Sequence, residues 1–192
     1  MSSLHFSTLR IHTMAFLAFC LALFHLLNVS GILLVSTMVI RVLHLMIVLS
    51  LVFLRSDDGE ARYVGSLMNL VFFVVALATG GYLLSRWEEI ALSGGITNEL
   101  DVVIGAIIVG LVLEATRRTV GKALALIAFV FFLYPFISPY LPGLLFSRGI
   151  RFESFVGFLA HSGQGIYGIP LGVASTYIVL FTIFGSFLSE FG

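Results

Sequence analysis

Apolar residues fall into six long runs, at 11–27, 32–54, 64–84, 100–115, 120–138 and 169–188, with short polar breaks between them. A helix rises ~1.5 Å per residue, so crossing ~30 Å of hydrocarbon takes roughly 17–25 residues. Each run therefore reads as a transmembrane helix or close to one. Barrel strands would need only ~10 residues each and would alternate apolar with polar, which these runs do not do. Helices also satisfy their own backbone donors and acceptors, as lipid requires. A further segment, 152–162, mixes Phe155, Val156, Phe158 and Leu159 with Glu153, Ser154 and His161, a pattern suited to a short interfacial helix. The expected fold is an all-α integral membrane protein with about six transmembrane helices and one short interfacial helix before the last span.

The breaks carry their own chemistry. Asn28-Val29-Ser30-Gly31 predicts a tight turn, and Arg55-Ser56-Asp57-Asp58-Gly59-Glu60-Ala61-Arg62 a solvated loop. Arg86-Trp87-Glu88-Glu89 is expected to end span three, with Trp87 at the interface. Arg117, Arg118 and Lys122 divide spans four and five, and Pro135, Pro139 and Pro142-Gly143 stop span five. If the N-terminus is cytoplasmic, the inner side carries Arg10, Arg55, Arg62, Arg117, Arg118 and Lys122. The outer side then carries only Arg86, Arg148 and Arg151, and Arg41 lies within span two. The bias predicts both ends in the cytoplasm.

Composition agrees with this and narrows the function. Of the 192 residues, 59% are hydrophobic and 10% are charged, against roughly a quarter charged in soluble domains. The formal net charge is zero, so there is no basic field for nucleic acid. Cys20 is the single cysteine, which excludes an intramolecular disulfide and a cysteine-based metal site. Residues 11–27 read as a span and not as a cleaved signal, because no small-residue cleavage site follows. Phosphate-loop and dinucleotide glycine motifs are absent.

Few residues remain that can carry chemistry. Arg41 and His44 stand three apart on span two and share a helix face. An ionisable residue in a membrane segment is a functional candidate. The simpler reading is that Arg41, near the start of its span, reaches the headgroups or a neighbouring helix. In Leu-Glu-Ala-Thr-Arg-Arg, Glu114 can pair with Arg117 or Arg118, either as a coupling element or as an ion pair closing a helix end. His161 reads as a surface group, and no histidine has metal-ligand spacing. Gly168, Pro170 and Gly172 combine small residues at GxxxG spacing with a proline. They fit either an interrupted segment of the kind transporters place near binding sites or a plain helix start with proline in its first turn. Ala106 and Gly110 form a small-residue strip on span four, a candidate contact for partner helices. A membrane enzyme would need an inward-facing polar set, and only Arg41, His44, Glu114, Arg117 and Arg118 are available for one.

Three segments carry a resemblance. Leu113-Glu114-Ala115-Thr116-Arg117-Arg118-Thr119-Val120-Gly121 resembles the segment leading out of the small-subunit-like part of fused permeases of TRAP transporters (tripartite ATP-independent periplasmic transporters). Tyr134 through Pro139-Tyr140-Leu141-Pro142-Gly143 follows as in that family. Gly165-Ile166-Tyr167-Gly168-Ile169-Pro170-Leu171-Gly172-Val173, with Phe184-Gly185-Ser186-Phe187-Leu188, is similar to the run that opens the family's large-subunit part. Arg41, His44 and the apolar stretch to Phe53-Leu54 are similar to its second span. One detail departs: the family often has an acidic residue directly after Phe-Leu, whereas here Ser189 precedes Glu190.

The resemblance implies a secondary transporter, a permease of the cytoplasmic (inner) membrane acting as a sodium symport that imports organic anions such as carboxylates or sulfonates. The implied partners are a large permease subunit, or the remainder of the same permease, a periplasmic substrate-binding protein and membrane lipids. On this reading residues 1–118 are a small-subunit-like four-helix scaffold and residues 119–192 the incomplete start of the transport region. The chain would be an N-terminal piece of a longer permease or a truncated product. It would carry no cofactor and no catalytic residue, and the sodium ions would belong to the full transporter. Arg41, His44, Glu114, Arg117, Arg118, Gly168, Pro170 and Gly172 are then structural or coupling residues. The alternative is an autonomous small membrane protein that binds partner helices without transport.

Overall fold

Continuous apolar runs with internally paired backbones dictate helices, and the computed structural model, which describes residues 2–55, 64–92 and 98–192, is all-helical with no strand among those residues. Its helices are α1 (Ser2–Val29), α2 (Thr37–Leu54), α3 (Val64–Leu92), α4 (Glu99–Thr119), α5 (Lys122–Ile137), α6 (Phe152–His161) and α7 (Ile169–Phe191). A π turn at Ala174–Ile178 widens α7. Short 3₁₀ turns at Ser138–Tyr140 and Gly143–Leu145 follow α5. Five helices are long and apolar enough to cross a membrane: α1, α2, α3, α5 with its 3₁₀ extension, and α7. The chain is a multi-pass helical membrane protein. Helix α4 falls outside that set because it is free of charge only between Asp101 and Glu114.

Several boundaries differ from the sequence-based expectation, each for a local reason. Span two was expected from residue 32, but α2 starts at Thr37, where the Ser36 side chain accepts a hydrogen bond from the Val39 amide. A capping serine outranks hydropathy in setting a helix start. Arg86-Trp87-Glu88-Glu89 does not end α3, which runs on to Leu92 with Arg86 and Glu89 paired at 3.0 Å one turn apart. The end of an apolar run marks where lipid ends, and a solvated i,i+3 pair lets the helix continue. Arg117 and Arg118 lie in the last turn of α4, so the break falls at Gly121, which has φ +122. Pro135 sits inside α5 and does not stop it. The turn at residues 28–31 is as expected, with Gly31 at φ +76. The expected loop over residues 56–62 lies outside the described residues.

The described chain forms two compact units, Met1–Leu84 with Tyr167–Gly192, and Ser85–Ile166. In the first, α1 packs on α2 and on α7, and the start of α7 packs on α2. Phe53 of α2 stacks on Phe72 of α3 with ring centroids 5.1 Å apart. In the second, α4 packs on α5 and α6. Phe132 and Phe136 of α5 meet Phe155 of α6 at 5.6 and 5.5 Å. Most of α5 and α7 presents apolar side chains outward, as lipid-facing helices do.

Candidate functional site

In the first unit the polar side chains of α2 find partners on two other elements. Arg41 is half-buried and its Nη1 donates to the Tyr167 carbonyl at 2.7 Å. Its guanidinium lies flat on Gly172, where an added Cβ would stand 2.7 Å from Nη2 and 3.0 Å from Cζ. Gly172 thus admits an arginine side chain, whereas GxxxG spacing would suggest a second helix backbone. Gly168 is the N-cap of α7 and Pro170 occupies its first turn, so this stretch is a helix start. The interruption of α7 comes later, in the π turn, where the Thr176 and Ser175 hydroxyls donate to the Gly172 carbonyl at 2.7 and 3.2 Å. Tyr167 itself is 2% exposed, and burial pushes its phenol above the ordinary tyrosine range.

One turn on from Arg41, His44 meets a partner the sequence reading did not pair it with. His25 Nε2 and His44 Nδ1 lie 3.1 Å apart, one ring N–H donating to the other ring's lone pair. The rings cross edge to face at 5.2 Å and are 1% and 8% exposed. Polar pairs of this kind join transmembrane helices for about 0.6 kcal/mol on average. Double-mutant analysis of His25→Phe and His44→Phe, by unfolding in detergent, should give a coupling of about 1 kcal/mol. Purely additive losses would mean that the two rings merely touch.

The second unit holds two charged clusters. Glu114 is clamped by a fork at the end of α4. Arg117 Nε and Nη2 donate to its two carboxylate oxygens at 2.7 Å each, and Arg118 Nε donates at 2.6 Å. These cations satisfy a carboxylate one turn back and oppose the negative helix end, which is the helix-closing arrangement. The other cluster stands at the start of α4. Asp101, 1% exposed, accepts from the Asn98 amide at 2.9 Å in a capping box, and its other oxygen lies 3.7 Å from Arg86 Nε.

His161 was expected at the surface. It is 3% exposed, and its Nε2–H donates to the Asp101 carbonyl at 2.7 Å. That bond leaves Nδ1 as a buried lone pair with no partner among the described residues. Gly105 makes room for this, because a Cβ there would approach Val156 at 2.7 Å and His161 Nε2 at 3.0 Å. Among the described residues no group of three or more His, Cys, Asp or Glu side chains is placed to hold a metal ion.

Comparison with known proteins returns no match: no family model, no curated protein and no solved structure matches the chain. The geometry alone therefore sorts the candidates. In the first unit, Arg41 meets Tyr167 and Gly172 at the start of α7, which Gly168 and Pro170 open, and His44, one turn along α2, meets His25. Glu114, Arg117 and Arg118 form a separate ion pair in the second. His25 could be found only through its partner, since both histidines are isolated in sequence. Asp101 carried a visible signal, three residues after Asn98 at a helix start.

Proposed function

We propose that this chain is the scaffold part of a secondary transporter of the inner membrane. On this reading it works with a large permease subunit, or the remainder of its own permease, and with a periplasmic substrate-binding protein, to import organic anions on a sodium gradient. Its N-terminus is cytoplasmic. The reading rests on the TRAP-permease resemblance of residues 113–188. The observation that supports it best is the Arg41 contact with Tyr167 and Gly172. Arg41 lies in the part that resembles the small subunit, and Tyr167 to Gly172 in the part that resembles the opening of the large one. A bound guanidinium between them is the junction a scaffold needs to hold α7 of the transport region.

The test is recovery from native membranes followed by reconstitution. The tagged chain should copurify with large-subunit permease sequence, and proteoliposomes holding the complete set with its binding protein should take up a labelled carboxylate or sulfonate when sodium is high outside. Arg41→Ala should lower uptake about tenfold, the equivalent of about 1.4 kcal/mol for one charge-assisted hydrogen bond, while Arg41→Lys keeps part of it. Recovery with helical partners but no uptake in any reconstituted set would leave the non-transporting, partner-binding protein as the answer.

A further inference from the structure

The chain leaving α5 turns back through residues 138–151 and is tied down as it does so. Tyr134 Oη donates to the Leu145 carbonyl at 3.0 Å, and the Ser147 amide donates to the Ser138 carbonyl at 3.4 Å. The Ser138 side chain is fully buried, and its hydroxyl donates to the Pro135 carbonyl at 3.2 Å. Gly149 has φ +71, and a Cβ there would come within 2.7 Å of Pro139 Cγ. Only glycine combines that backbone with that approach. The result is an open groove of about 310 Å³ with Pro135, Phe136 and Pro139 along its floor and Arg148 and Arg151 at its rim.

The surroundings say which anion the rim faces. Tyr140, at the very end of the span that α5 forms, and Leu144 and Phe146, on the return just past it, stand exposed. Aromatic and apolar residues at that position sit at headgroup level. Arg151 lies 3.4 Å from Glu153, which leaves it 83% exposed, and Arg148 makes no ion pair among the described residues. Two cations over an apolar floor complement an amphiphile with a negative head. We propose that this groove binds an anionic phospholipid, with the headgroup phosphate between Arg148 and Arg151 and the glycerol and upper acyl carbons on Phe136 and the prolines. A free organic anion offers the same oxygens to the arginines but nothing to cover the floor, and it lacks the high local concentration that the bilayer gives a lipid.

Native mass spectrometry of the full chain, released from nanodiscs containing equal phosphatidylglycerol and phosphatidylcholine of the same acyl chains, tests this directly. Retained lipid should favour phosphatidylglycerol by about tenfold, less than two unopposed cations would give because Glu153 offsets one. The variant Arg148→Gln/Arg151→Gln should bring the ratio near parity, and Arg148→Lys/Arg151→Lys should keep most of it. Gly149→Val, which spoils the groove without touching charge, should also lower the ratio. Equal retention of the two lipids by the unmodified protein overturns the proposal without reliance on any variant's folding. A preference that survives the double glutamine change does so as well. Displacement of phosphatidylglycerol by millimolar succinate or inorganic phosphate would assign the groove to a soluble anion instead.

Discussion

Gly105→Leu should destabilise the protein by about 3 kcal/mol or more and detach α6 from α4. The first added carbon already meets Val156 at 2.7 Å, His161 at 3.0 Å and Ala160 at 3.1 Å, and leucine adds three more. Helix association in lipid rests on dispersion and close approach, because lipid tails are as apolar as leucine and water gives little push. Overfilling the contact therefore removes the main attraction and also displaces the His161 ring from the Asp101 carbonyl. Unfolding in mixed detergent, read together with amide exchange across residues 152–161, would show the loss and its location. Gly110→Leu is the matched control. Gly110 is exposed with nothing within 4 Å of an added Cβ, so the isolated chain should tolerate it. If both variants unfold alike, the α4–α6 contact is not the one that matters. If Gly110→Ile breaks only the assembly with partner subunits, the strip expected on span four is an intermolecular one.

Asp101→Ala should cost about 3 kcal/mol. Two losses combine. The Asn98 amide loses its cap, worth about 1 kcal/mol, and Arg86 loses its buried counter-charge. The usual cost of breaking a buried pair is discounted here, because the Arg86 side chain is 27% exposed and the Asp101 oxygen is 3.7 Å away, beyond hydrogen-bond range. Asp101→Asn keeps an acceptor for the cap and loses only the charge, so it should fall between the two. Thermal unfolding of the three proteins in one detergent orders them. An asparagine variant as weak as alanine would place the whole effect in the Arg86 attraction.

The all-helical membrane fold and most spans were legible in residue order. Lipid removes water as a backbone partner, so a long apolar run has one structural solution and its length announces it. Apolar runs alone placed the starts of α4 and α7 within a residue, and failed at α2, where a cap overrides hydropathy. Ser36 and Asn98 are local signals, and reading the apolar run alone placed α2 several residues early. The Glu114 fork was also readable, because i,i+3 and i,i+4 partners are fixed by helix geometry.

What lay beyond the sequence is every contact made between helices. His25 and His44 are 19 residues apart, Arg41 and Tyr167 are 126 apart, and Asp101 and His161 are 60 apart. Nothing in the residues themselves says which helix faces which. Which glycine is crowded is decided the same way: Gly105 and Gly172 touch side chains, while Gly110 and Gly185 touch nothing. The same residue on the same kind of helix is a contact or a lipid-facing gap according to the rotation of its helix, and packing against neighbours sets that rotation. Sequence alone thus determined the solvent this chain folds in, the number of its elements and their internal pairs. Tertiary structure decided which buried polar groups share a neighbourhood, because in lipid the hydrophobic pattern no longer points inward and only shape and hydrogen bonds choose the partners.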